Sequence, residues 1–222
     1  MITIIEVVRR KPGLSVEQFQ RYWRDTHAAK VRALPGVRRY VQSHTLLSGY
    51  AKRVPACDGV AELSFDNIEA VRELATTSEL AAVKRDRDEF VDVGSRIEIV
   101  TEAVVIKDGA IPADGVKNIE LVTRKADMAA EAFHRYWIDV HGPLGGSIPQ
   151  VLRYVQSHTC ATEYRDDRAP ALDGVALTWF TDTGAMRDAA RTEQYRRTRA
   201  DEDNFLTVPL DFVITKEHVV IG

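Results

Sequence analysis

The 222-residue sequence predicts an α+β fold in which one unit of the order βαββαβ is written twice. Three observations carry this. Phe19-Gln-Arg-Tyr-Trp-Arg-Asp-Thr-His27 recurs as Phe133-His-Arg-Tyr-Trp-Ile-Asp-Val-His141, identical at six of nine positions. Arg39-Tyr-Val-Gln-Ser-His-Thr45 returns unchanged as Arg153 to Thr159, at the same offset of 114. After a one-residue insertion, Asp58-Gly-Val-Ala61 reappears as Asp173-Gly-Val-Ala176, and Asp86, Asp88 and Phe90 align with Asp201, Asp203 and Phe205.

Within the first unit, residues 2–10 alternate as a strand and stop at Lys11-Pro12-Gly13. Ser15-Val-Glu-Gln18 is a capping-box pattern opening a helix to about Val31, which ends before Leu34-Pro35-Gly36. A strand from Val37 to Thr45, a loop of Ser, Gly, Lys and Pro, and a strand from Asp58 to Phe65 follow. Asn67 to about Phe90 reads as helix broken near Thr76-Thr77-Ser78, and the Val- and Ile-rich Arg96–Ile106 as the last strand. A single such unit leaves one face of its sheet uncovered. The expected object is therefore two ferredoxin-like βαββαβ repeats, residues 1–107 and 117–222, packed sheet-to-sheet as a pseudo-symmetric α+β barrel. Residues 108–116 would link them, reaching roughly 30 Å when extended.

A net charge of −3 favours neither a nucleic acid nor an anionic membrane as partner. No apolar run approaches the ~18 residues of a membrane span. The N-terminus has no secretory pattern, and Cys57 and Cys160 have no metal-type spacing, so a reduced, cytoplasmic protein is expected. The chain has no phosphate loop, dinucleotide fingerprint, zinc-ligand array or nucleophile elbow. The expected metal and cofactor complement is none.

Phe19, Trp23 and His27 lie at i, i+4 and i+8, one helix stripe facing the sheet, and Phe133, Trp137 and His141 repeat it. Asp25 and Asp139 lie off the stripe, in register for surface pairs with Arg21 and Arg135. His27 and His141 are either imidazoles attracted to a helix C-terminus or titratable groups of a pocket. On the next strand Tyr40, Gln42 and His44 share one face and Val41 and Ser43 the other. Assigning the Val face to the helices turns the polar row towards the space between the sheets, as a structural network or as a polar pocket. Asp58, Val60, Glu62 and Ser64 share a face of the third strand, and Glu62 there requires solvent or a polar cavity. Leu177 and Trp179 stand opposite Glu62 and Ser64 in the second repeat, so with that face turned into the barrel the indole is expected to plug the second pocket in part. Cys57, opposite Leu172, reads as a buried inert thiol.

The runs Phe-x-x-Tyr-Trp-x-x-x-His, Leu34-Pro-Gly-Val-Arg-Arg-Tyr-Val-Gln42 and Asp58-Gly-Val-Ala-Glu-Leu63 resemble the EthD family of dimeric α+β barrel proteins. The resemblance covers the chain once per repeat and implies a pseudo-dimer within the chain, with further homo-oligomers open. It points to His27, Tyr40 and His44, and to His141, Tyr154 and His158, as the site set. The catalytic candidates are thus His27, Tyr40, His44 and Glu62, and the binding candidates Trp23, Gln42, Asp58, His141, Tyr154 and His158. The expected function is a cofactor-free acid–base enzyme, of dehydratase, cyclase or isomerase type, acting on a cyclic, aromatic or polyketide-like small molecule. The alternatives are a non-catalytic small-molecule-binding accessory protein and a haem- or oxygen-using barrel.

Overall fold

The computed structural model describes residues 1–51, 53–165 and 169–222; Lys52, in the loop after the second strand, lies outside the described residues. Two compact units emerge, one of residues 1–100 with 217–222, the other of residues 101–216.

In the first unit β1 (Ile2–Val8) precedes α1 (Val16–Arg21), a π-helical segment (Tyr22–His27) and α2 (Ala28–Val31), which run on as one helix. The capping box forms: Ser15 Oγ accepts from Gln18 N–H at 3.1 Å, and Gln18 Oε1 accepts from Ser15 N–H at 2.8 Å. After β2 (Arg39–Thr45) and β3 (Gly59–Phe65) come α3 (Ile68–Ala75), capped by Asn67, and α4 (Ser78–Arg87), capped by Thr77. The expected break at Thr76–Ser78 is this second cap. β3 pairs antiparallel with β1 and β2, opposing Glu62 to Ile5 and Val41. β4 (Ile97–Lys107) begins in this unit.

The second unit repeats the plan with β5 (Val116–Val122), α5 (Ala130–Tyr136), a π-helical segment (Trp137–His141), α6 (Gly142–Gly146), β6 (Arg153–Thr159), β7 (Gly174–Phe180), α7 (Thr183–Ala189), α8 (Glu193–Glu202) and β8 (Asp211–Ile221). β7 lies between β5 and β6, β8 pairs with β5, and residues 101–107 of β4 pair with β6. By hydrogen-bonded neighbours the strands run β1-β3-β2-β8-β5-β7-β6-β4, the closed antiparallel order of a barrel built from two ferredoxin-like repeats. No helix among the described residues is long and apolar enough to cross a membrane.

The first unit's core joins the helix stripe to the sheet through Phe19, Trp23, Tyr40, Phe65, Leu74 and Phe90. Burying each such side chain stabilises the fold by roughly 1.5–3 kcal/mol. The repeated Asp-Gly at the start of β3 and β7 is more than a turn. A Cβ on Gly59 would stand 2.5 Å from Trp23 Cζ3 and 2.7 Å from the Ser43 carbonyl, and one on Gly174 would stand 2.6 Å from Trp137 Cζ3. Only glycine lets the indole lie flat on the strand.

Gly59→Ala and Gly174→Ala are each expected to destabilise the protein by ~1–3 kcal/mol, the cost of overpacking a filled core. Urea unfolding checks this; an unchanged midpoint would show that the indole relaxes freely.

Candidate functional site

The clefts are built around the π-helical segments. The Ala28 N–H reaches back five residues to the Trp23 carbonyl, which also accepts from Gln42 Nε2 at 2.9 Å. The Trp23 indole N–H and Gln42 Nε2 both donate to the Tyr40 hydroxyl oxygen, each at 3.0 Å. His44 stacks on the Trp23 ring, 4.6 Å between centroids and 9° between planes, and its Nε2 meets Gln42 Oε1 at 3.0 Å. Trp137, Tyr154, Gln156 and His158 repeat every one of these hydrogen bonds. This corrects the facing inferred from alternation: Tyr40, Gln42 and His44 face the helix, and Val41 and Ser43 face away. The polar row is satisfied there because the indole N–H and the carbonyl taken up by the π turn supply its partners. The same turn shifts the surface register, so Asp25 pairs with Arg24 rather than Arg21, and Arg135 with Glu131 rather than Asp139.

His27, at the end of the π segment, is buried. Its Nδ1 lies 2.7 Å from Asp86 Oδ2 on α4, while Asp86 also accepts from Tyr22 Oη at 2.8 Å and from Lys30 Nζ. Burial works against the Asp86 carboxylate, but the hydrogen bonds from Lys30, His27 and Tyr22 outweigh it and hold its pKa below the usual value. Burial likewise depresses the His27 pKa, against the opposing pull of Asp86, so the imidazole is neutral near pH 7. An ionised acceptor at Nδ1 fixes the proton there and leaves Nε2 as the basic nitrogen.

His27 and Tyr40 line a cleft of about 130 Å³ between the helices and the sheet of the first unit, walled by Ile4, Leu34, Leu63 and Leu80 among others. With both lone pairs of Tyr40 occupied, its hydrogen has no acceptor among the described residues and is available to a ligand. Burial pushes the Tyr40 pKa up despite the donors from Gln42 and Trp23, so the phenol keeps its proton. Polar groups that also line it include Glu6, Arg87 and Glu98: Arg87 Nη1 lies 3.1 Å and Arg96 Nη1 2.8 Å from Glu6. Burial, then the Glu98 charge, raises the Glu6 pKa against both arginines.

The other candidates lie elsewhere. His44 is on the far side of Trp23, edge-on to His218 at 4.6 Å, and its Nδ1 is buried with no hydrogen-bond partner among the described residues. Glu62 stands on the opposite face of the sheet, where Ser43 Oγ donates to it at 3.5 Å. Asp58 anchors the strand entry, accepting from the Arg10 backbone N–H at 2.8 Å and Tyr50 Oη at 2.5 Å. The His27, Tyr40, His44 and Glu62 set is therefore split: the first two share the cleft, and the last two do not reach it. Asp86 is the residue that sequence reasoning passed over, although its alignment with Asp201 was visible.

The second unit holds its own cleft of about 60 Å³, lined by His141, Tyr154, Glu120, Thr178 and Phe180 among others. His141 Nδ1 lies 3.0 Å from Asp201 Oδ2. Trp179 does not plug this cleft. Its neighbours Thr178 and Phe180 point in, and the indole faces the other way against Lys117 Nζ, 4.7 Å from the ring centre. His158 meets His134, Nδ1 to Nδ1, at 2.8 Å, outside the cleft. Among the described residues no group of three or more His, Cys, Asp or Glu side chains is placed to hold a metal ion.

The EthD domain model matches the sequence twice, over residues 11–94 and 125–208. No curated protein matches it. Among solved structures, an anthrone oxidase-like protein superposes with a TM-score of 0.66 at 9% identity, covering 100% of this chain and 94% of its own. A candidate monooxygenase from Lactobacillus acidophilus NCFM gives 0.58 at 14% identity, covering 98% and 94%. At these identities the likeness is one of fold.

Burial lowers the His44 and His158 pKa values to about 3, whereas both return to the ordinary value near 6.5 on unfolding. The unfolded chain thus binds more protons below pH 6.5, and stability present above that pH is lost as the pH falls towards 3. Each histidine contributes a slope of ~1.4 kcal/mol per pH unit in that window. Urea unfolding from pH 7 to 4 is expected to show it, with a shallower slope for His44→Gln and His158→Gln; equal slopes would show that these imidazoles do not stay neutral.

Proposed function

Since the chain belongs to the EthD domain family, which it matches once in each repeat, we propose that it is an enzyme of acid–base type whose working site is the cleft of the first unit. The observation that carries this reading is the pairing, in one apolar cleft, of a neutral imidazole oriented by a carboxylate with a phenol whose only free function is to donate.

In this reading His27 Nε2 takes a proton from a carbon next to a carbonyl, and Asp86 stabilises the imidazolium that forms. The Tyr40 hydroxyl donates to the carbonyl oxygen as it becomes an enolate. Trp23 and Gln42 hold that oxygen in place before the reaction, so little reorganisation is needed. Returning the proton to a different atom gives isomerisation; expelling a β-hydroxyl gives dehydration; attack on a second carbonyl gives cyclisation. An apolar cavity of ~150 Å³ accommodates a benzene ring, so a cleft of about 130 Å³ suits one ring of an aromatic or polyketide-like ketone. This chemistry asks for no cofactor. Glu62 and His44, away from the cleft, have no part in it.

The test is hydrogen exchange in deuterated water, followed by proton NMR on a panel of aryl ketones that includes α-tetralone. The wild-type protein is expected to accelerate exchange at the carbon next to the carbonyl. His27→Ala should lower the rate ~10²–10⁴-fold, and Tyr40→Phe should lower it with the fold intact. Because His27 must be neutral and burial lowers its pKa, the rate should hold through neutral pH and fall only below the ordinary histidine range. Binding without exchange would identify a small-molecule carrier instead, and exchange untouched by His27→Ala would remove the proposed base.

A further inference from the structure

The two clefts share a frame but not a lining. Position for position, Ile4, Leu63, Val83 and Arg87 of the first become Asn118, Thr178, Thr198 and Glu202 of the second. We propose that the second unit carries a separate binding site for a small organic cation, a primary ammonium on a short carbon chain, held between Asn118, Glu120 and Glu202.

The first support is an unmet acceptor. Asn118 is 9% exposed, and its Oδ1 is buried with no partner among the described residues. Its Nδ2 lies 3.5 Å from Thr178 Oγ1. Asn118 is one of the residues that line the cleft. An amide oxygen so placed requires an N–H or O–H donor.

The second support is a charge imbalance. Arg199 Nη1 serves two carboxyl groups, Glu120 at 3.2 Å and Glu202 at 2.8 Å, so one guanidinium stands against two acids. His141, the other titratable cleft group with Tyr154 and Tyr195, is committed through Nδ1 to Asp201. Burial and then the Glu120 charge raise the Glu202 pKa, to about 8, against Arg199. A bound ammonium would take the place of that retained proton, restoring one cation per carboxylate, with three N–H donors for Asn118 Oδ1 and the two acids. In the first cleft the matching position to Glu202 is itself an arginine, Arg87, and the matching position to Asn118 is an isoleucine. The first cleft therefore lacks the amide and the carboxyl group that hold the ligand at these two positions of the second. The volume of about 60 Å³ admits the ammonium and two or three carbons, and no aromatic ring.

Isothermal titration of the full chain with ethylammonium chloride tests this, with sodium propionate as the anionic control. Saturable binding of ethylammonium and none of propionate is expected. Asn118→Ile, which installs the first unit's residue, and the nearly isosteric Glu202→Gln should each weaken it roughly 10–100-fold, the range for a lost charged hydrogen bond. Absence of saturable binding by the wild-type protein, equal binding of propionate, or affinity unchanged in Glu202→Gln would each overturn the assignment. This site stands independently of the acid–base role of the first cleft, because ammonium binding and ketone exchange report on different units.

Discussion

In each unit one helix carbonyl, that of Trp23 or Trp137, accepts two hydrogen bonds, one from the backbone N–H five residues on and one from a strand glutamine. An α-helical carbonyl has a single intrahelical partner four residues on, so the π register and the glutamine depend on each other. The widened turn sets where the chain re-enters the helix, and hence where His27 and His141 point. The same glutamine amide donates to the tyrosine hydroxyl, and its oxygen faces the strand histidine. A single buried amide thus ties the strand histidine, the phenol and the helix register to one another. Its removal would leave a carbonyl, a phenol and an imidazole each short of a partner in a setting where an unmet polar group costs ~1–3 kcal/mol.

The division of labour among the histidines follows from that geometry. His44 and His158 are kept neutral by burial and pack against Trp23 and Trp137, the first stacked and the second tilted. His27 and His141 are also buried, but each faces an aspartate that can receive the charge of an imidazolium. A histidine without such a partner resists protonation throughout the working range. A histidine with one can take a proton and be stabilised while it holds it. The strand histidines therefore belong to the frame, and the helix histidines are the ones that face a carboxylate.

Much of this was legible in the sequence. The repeat, the order of elements, the capping box at Ser15 and the break at Thr77 all have local signatures that tertiary packing did not override. Strand alternation identified Tyr40, Gln42 and His44 as one row. It could not say which side of the sheet the helices occupy, and the bland rule that apolar faces meet helices chose the wrong one. The error has a definite cause. The partners that satisfy the row are an indole N–H and a carbonyl taken up by a π turn, and neither is visible as polarity in a hydropathy pattern. Asp86 escaped for another reason: it meets His27 across 59 residues of chain, and a single acid on an exposed-looking helix has many ordinary explanations. Only its reappearance at Asp201, beside a reappearing His141, set it apart.

A duplicated unit separates what a fold needs from what a site needs. The residues that hold the π turn, the indole and the strand entry are the same in both halves: Trp23 and Trp137, Tyr40 and Tyr154, Gln42 and Gln156, Gly59 and Gly174. Each of these contacts groups that would clash or be left unpaired on substitution, so the frame tolerates little change. The lining positions meet the cleft rather than the frame, and there the halves differ in polarity and in sign of charge, as Arg87 and Glu202 show. Ile4 and Asn118 sit at matching points of matching strands, opposite Leu63 and Thr178 respectively in the sheet register. A change at such a point alters what the cleft can hold and leaves the hydrogen bonds of the frame in place. The fused chain can thus maintain two clefts of opposite preference on one set of structural contacts.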